Sequence, residues 1–135
     1  MSNAPPLSEF LVLSRGRWDE DLSEEEIQAA IDDFYAWHGR LVDEGRMRVG
    51  QRLKREAKRV SRDAVTDGPF SESKEVIGGY WHVLAGSLDE AAAIMAHNPT
   101  LACGLEFEIR PIEAERADAR VASNETPVSR LPRDR

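Results

Sequence analysis

At 135 residues the chain fits one domain with a modest core. It is 41% apolar and 32% charged, and no apolar run approaches the roughly 20 residues that span a bilayer, so a globular chain off the membrane is expected. A net charge of -7 argues against a general nucleic-acid binder, and the start, MSNAPPLSEF, has neither the basic nor the apolar segment of a secretory signal, so the cytoplasm is the expected compartment.

Residues 9–15, EFLVLSR, form a short apolar run stopped by Gly16 and predict a buried strand. A helix follows: Ser23 with Glu26 makes a capping box, Glu24 and Glu25 suit the positive end of the dipole, and Gly45 is placed to end it. At 100° per residue Ile27, Ile31, Phe34, His38, Leu41 and Val42 share one stripe. His38 sits in its middle and is expected in the core, bonded to a polar neighbour.

Charge is uneven along the chain: residues 1–45 carry -8, residues 46–62 carry +7 and residues 63–135 carry -6. The basic stretch has no aromatic for base stacking, so a nucleic-acid groove is not expected; a solvated hairpin of residues 47–55 and 57–66, paired against the acidic flanks, is. Asp67-Gly68-Pro69 forces a turn. Residues 76–85 predict a strand with Gly78 and Gly79 near its start, Ser87 with Glu90 opens a helix over 88–97, and Pro99 stops it. In a last strand, 105–112, Leu105, Phe107 and Ile109 alternate with Glu106, Glu108 and Arg110. Residues 114–135 lack periodicity and read as a polar tail, mobile or docked, after a domain of residues 7–113. Lone Cys103 is expected as a small buried apolar residue.

The order predicts an α+β domain, a ferredoxin-like βαββαβ plan with an extra β-hairpin, whose helices cover one face of an antiparallel sheet. The uncovered face is most simply buried by a second copy, so a homodimer is expected.

The run VTDGPFSESKEVIGGYWHV at 65–83, then SLDEAAAIMAHNP and GLEFEIRPIE, resembles the YCII-related domain family, in the subgroup named for the DGPF tetrapeptide. The resemblance implies a ferredoxin-like fold that dimerises sheet against sheet into an α/β barrel with a cleft between subunits. It implies no single activity: some relatives are linked to breakdown of small aromatic compounds, with a His-Asp pair suggested as their catalytic site. The subgroup also neighbours or is fused to sigma factors, which implies a regulatory alternative. Where many members have a Cys-Pro-His turn after the second helix, this chain has Asn98-Pro99-Thr100, with His97 one residue earlier.

On strand 76–85, Trp81, Val83 and Ala85 should meet the helices and send Tyr80, His82 and Leu84 to the open face, together with Glu106, Glu108 and Arg110. A histidine beside a carboxylate can act as a general base, so His82 with Asp67 is the sharpest catalytic pair; Glu106 and Glu108 are the other carboxylates on offer. Tyr80, Glu106, Glu108 and Arg110 are candidate contacts for a small polar or aromatic acid, and Ser71 with Lys74 could hold an anion. Each has a structural alternative: Asp67 can cap its turn, Lys74-Glu75 can be a solvated pair, and His82 can pair across an interface. His97 suits a helix C-terminus. No HxxxH or HxH spacing points to a metal, no dinucleotide or phosphate motif points to a cofactor, and no GxSxG elbow appears. Three readings stand: a cofactor-free acid-base enzyme with its cleft at the dimer, a non-catalytic ligand-binding or regulatory module, or a plain dimerisation domain whose polar sheet face is only an interface.

Overall fold

The computed structural model describes residues 6–70, 72 and 76–132. Strand β1 (Ser8–Arg15) leads to α1 (Glu24–Asp43) and β2 (Met47–Arg52). A small hairpin, β3 (Lys58–Val60) and β4 (Val65–Asp67), precedes β5 (Ile77–Ala85), α2 (Leu88–Met95), a 3₁₀ turn (Pro99–Cys103) and β6 (Glu106–Pro111). The main sheet has the antiparallel order β2-β5-β1-β6, with α1 and α2 as the crossovers: a ferredoxin-like arrangement.

Local chemistry explains the elements. The Ser23 hydroxyl accepts from the Glu26 amide while the Glu26 carboxylate accepts from the Ser23 amide, so the expected capping box opens α1. At α2 the Ser87 hydroxyl accepts from the Glu90 amide, but the Glu90 carboxylate takes the Gly86 amide instead of that of Ser87. Asn98 and Pro99 then turn the chain into the 3₁₀ segment, which ends at Gly104 with φ +101.

One side of the sheet is the core. Phe10, Val12, Trp81, Val83 and Ala85 point at the helices and are buried with Phe34, Trp37 and Leu41 of α1 and Ile94 and Met95 of α2. Phe34 centres an aromatic group, edge-on to Trp81 at 5.2 Å and stacked on His38 at 5.6 Å. Of the expected α1 stripe, Phe34, His38 and Leu41 are buried, Ala30 and Trp37 join them, and Ile27, Ile31 and Val42 are partly covered. Buried His38 has its Nε2 3.1 Å from the Arg48 carbonyl, the polar partner expected of a core histidine.

Two expectations are corrected. Residues 47–55 do not pair with 57–66: β2 takes the edge of the main sheet against β5, and the hairpin is the shorter β3-β4 pair. The segment around Glu56 has no Gly or Asn for a tight turn, whereas Ser61 donates from both its amide and its hydroxyl to the Ala64 carbonyl, closing a four-residue turn with serine in its preferred first position. Cys103 is partly exposed in the 3₁₀ turn, not buried. Past β6, residues 112–132 are exposed apart from the partly covered Thr126 and form turns and a short 3₁₀ helix (Val128–Arg130). Among the described residues no helix is long and apolar enough to cross a membrane.

Candidate functional site

The open sheet face carries the polar residues that alternation assigns to it. Leu13 of β1 lies between Tyr80 and Glu108, and Leu11 lies between His82 and Arg110. Arg15 is opposite Glu106, which is exposed. His82 is half-buried and edge-on to Tyr80 at 6.2 Å. Its Nδ1 stands 3.9 Å from Glu9 Oε1, beyond hydrogen-bond range, and Arg48 Nε already holds that oxygen at 3.1 Å.

The carboxylate beside His82 is therefore Glu9, and the structure does not bring Asp67 to it. Asp67 sits on β4, in the separate small sheet, exposed and ion-paired with Lys58. Glu108 is taken as well: its two oxygens accept from Arg15 Nε at 2.9 Å and Arg110 at 3.1 Å. Ser71 and Lys74 lie outside the described residues. His97 is exposed beyond α2. Among the described residues no three His, Cys, Asp or Glu side chains gather as metal ligands.

Glu108 has a measurable consequence. The hydrogen bond from Arg110 holds its carboxyl below the ordinary value of 4.5; partial burial opposes this, and the charge and hydrogen bond of Arg15 reinforce it. A lowered folded-state value means stability that is complete above the unfolded value and lost as pH falls through the folded one. Melting temperature followed downward from pH 7 should accordingly fall less steeply below pH 4.5 in Glu108→Gln than in the parent protein. Identical slopes there would mean that the two arginines do not grip this carboxylate.

Apart from an open hollow of about 650 Å³ at the base of the hairpin, beside Lys58 and Asp67, the concave surfaces lie on the other side of the sheet. Between α1 and β2 is a cleft of about 350 Å³ whose walls include His38, Asp43 and Gln51. Next to it, under the middle of α1, a pocket of about 90 Å³ is walled by Trp18, Phe34 and Phe107 with Ser14 and Thr100. Tyr35, Arg52 and Trp81 line both. The larger cleft thus contains a histidine and a carboxylate in its walls, whereas the smaller pocket contains neither.

Three strands build the polar end of this pocket. Ser14 takes a core-facing position of β1 after Phe10 and Val12 and is 2% exposed. Arg52 ends β2 and reaches across Gly78 of β5, where a Cβ would meet its two terminal nitrogens at 3.2 and 3.3 Å and Ser14 Oγ at 3.5 Å. The missing side chain is what lets guanidinium and hydroxyl converge. No carboxylate pairs with Arg52 among the described residues. Buried Thr100 donates its hydroxyl proton to Asn98 Oδ1 at 2.7 Å, so it can offer a ligand only lone pairs. Buried Asn98 Nδ2 has no hydrogen-bond partner among the described residues. The end of the pocket thus presents cationic donors, a hydroxyl and an acceptor beside aromatic walls.

Sequence reasoning did not single out Ser14, Trp18, Tyr35, Arg52 or Thr100. One signal was available: a serine at position 14 where the alternation of Phe10 and Val12 calls for an apolar residue. The pairing that joins these residues is tertiary.

Comparison with solved structures finds similarity to the 5-chloro-2-hydroxyhydroquinone dehydrochlorinase of Burkholderia phenoliruptrix AC1100, in complex with 2,5-dihydroxybenzoquinone, at 18% identity and TM-score 0.44 over 78% of this chain and 93% of that one. It also finds the hydroxynitrile lyase from Passiflora edulis, at 14% identity and TM-score 0.40 over 84% of this chain and 100% of that one. Comparison with curated proteins gives no match. The family model of the YCII-related domain matches residues 10–115, most of the chain from the first core residue of β1 past the end of β6, and the chain belongs to the YCII-related domain family.

Proposed function

We propose that this domain binds a compact aromatic acid, with the ring among Trp18, Phe34 and Trp81 and the carboxylate on Arg52 and Ser14. The observation that carries the reading is a guanidinium with no carboxylate partner among the described residues, laid over Gly78 beside a buried hydroxyl at the end of an aromatic pocket. A guanidinium matches a carboxylate bidentately, and at the margin of an apolar pocket it is less screened than on open surface. The pocket walls include no histidine and no carboxylate, which favours binding over acid-base turnover. The enzyme reading has one support: His38 lines the adjoining cleft, and if its Nε2 donates to the Arg48 carbonyl, Nδ1 is left as a base.

Titration of amide-labelled protein with benzoate, 4-hydroxybenzoate and neutral benzamide tests the proposal. Both acids should shift the Ser14, Gly78 and Thr100 amides and quench tryptophan emission, and benzamide should do neither at the same concentration. Equal effects from benzamide, or shifts centred on His82 and Glu108, would overturn it. Turnover of either acid that is lost in His38→Gln while binding persists would establish the enzyme reading.

A further inference from the structure

The polar groups around the pocket of Trp18 and Phe34 differ in what they offer a ligand. The Arg52 guanidinium and the Trp18 and Trp81 indoles only donate, and the hydroxyls of Ser14 and Tyr35 can turn either way. Thr100 is different, because its hydroxyl proton is already committed.

The commitment follows from two hydrogen bonds that end on one atom. Asn98 caps the 3₁₀ segment, and its side chain accepts from the Thr100 amide at 2.9 Å and from the Thr100 hydroxyl at 2.7 Å. A backbone amide can only donate, so the atom that faces it is the oxygen of Asn98 and not the nitrogen; turning the side chain over would set two donors against each other. That oxygen carries no proton, so the proton between it and Thr100 Oγ1 belongs to the threonine. Both residues are 3% exposed, and turning the hydroxyl away would give up a bond that solvent does not replace. Thr100 Oγ1 therefore presents only lone pairs, and among the described residues no donor takes them.

A carboxylate on Arg52 and Ser14 satisfies donors and does nothing for an acceptor. An acceptor buried beside an apolar ring costs free energy unless the ligand supplies a proton. We infer that the pocket selects, among aromatic acids, those with a ring hydroxyl, whose proton is accepted by Thr100 Oγ1, and that Thr100 sets this preference. The inference rests on the aromatic-acid reading of the same pocket and adds the ligand's second polar group. A methoxyl in place of the hydroxyl gains nothing, because it brings bulk without a proton.

Calorimetric titration with benzoate and with each isomer of hydroxybenzoate and methoxybenzoate tests the preference. In the parent protein one hydroxy isomer should bind about three- to tenfold more tightly than benzoate, and its methoxy counterpart no more tightly than benzoate. In Thr100→Val, which keeps the shape and removes the acceptor, the ratio of hydroxybenzoate to benzoate affinity should fall to about one. In Thr100→Ser, which keeps a hydroxyl for Asn98 and lone pairs for the ligand, the ratio should persist, so its loss in Thr100→Val is not a failure to fold. Equal binding of benzoate and every hydroxy isomer to the parent, or a preference that Thr100→Val retains, would overturn the inference and leave the aromatic-acid reading standing. Failure of every acid to bind would overturn both.

Discussion

Arg52→Met should weaken benzoate binding by ten- to a hundredfold, because a hydrogen bond to a charged group is worth about 1.5–3 kcal/mol and each 1.4 kcal/mol is a factor of ten. Methionine keeps much of the apolar stem and removes the fork of donors, so the change isolates the charge. The folded state should be nearly indifferent: Arg52 is exposed and has no ion pair among the described residues, and substitutions of that kind stay within about 0.5 kcal/mol. Gly78→Ala should act on the same site from the other side, since its Cβ would fall 3.2 Å from the guanidinium, which must swing away from Ser14. His82→Gln should leave the titration unchanged. Calorimetric titration of the three variants decides the matter: loss in His82→Gln with retention in Arg52→Met would move the site to the open face of the sheet.

The largest expected effect on stability comes from a single methyl group. Gly50 lies in β2 where its pairing with β5 shifts register, and a Cβ there would overlap the Tyr80 carbonyl oxygen and the Trp81 indole. Neither can yield easily: one is backbone in the centre of the sheet, and the other is packed edge-on to Phe34 at 5.2 Å and against Phe107 at 6.1 Å. Overpacking costs about 1–3 kcal/mol and this site belongs at the upper end, which for a domain of this size lowers the melting temperature by roughly 10 °C. Gly39→Ala is the control with the opposite sign. Its Cβ meets nothing within 4 Å and its backbone is ordinary helix, so alanine there should stabilise by about 0.5–1 kcal/mol. Thermal melts of the two variants should diverge in opposite directions, and a Gly50→Ala protein that melts with its parent would mean that β2 does not approach β5 so closely.

The sequence by itself determined what depends on neighbours along the chain. Ser23 and Glu26 mark the start of α1 because a capping box spans three residues. The two-residue period of residues 80–85 sends Trp81 and Val83 inward and Tyr80 and His82 outward, as the sheet shows, and the same rule placed Glu108 and Arg110 on one face. The order of elements and the DGPF-to-EIRPI spacing carried the ferredoxin-like plan and the YCII-related family.

Only the tertiary structure decided which strands meet and in what register. Nothing in residues 47–52 says that their hydrogen-bonding partner is β5 and not the next basic run, since a strand's own periodicity names its faces but not its neighbour. The carboxylate near His82 is Glu9 because β1 runs antiparallel to β5 in a register that sets Glu9 against Leu84 and Leu11 against His82; Asp67, nearer in sequence, folds away with Lys58. The pocket has the same origin. Ser14, Arg52 and Gly78 come from three strands spread over 65 positions of the chain, and their convergence needs the sheet order β2-β5-β1 and a missing side chain on the middle strand. Short-range patterning is written in adjacent residues, whereas a site assembled across strands exists only once non-local pairing has set their register.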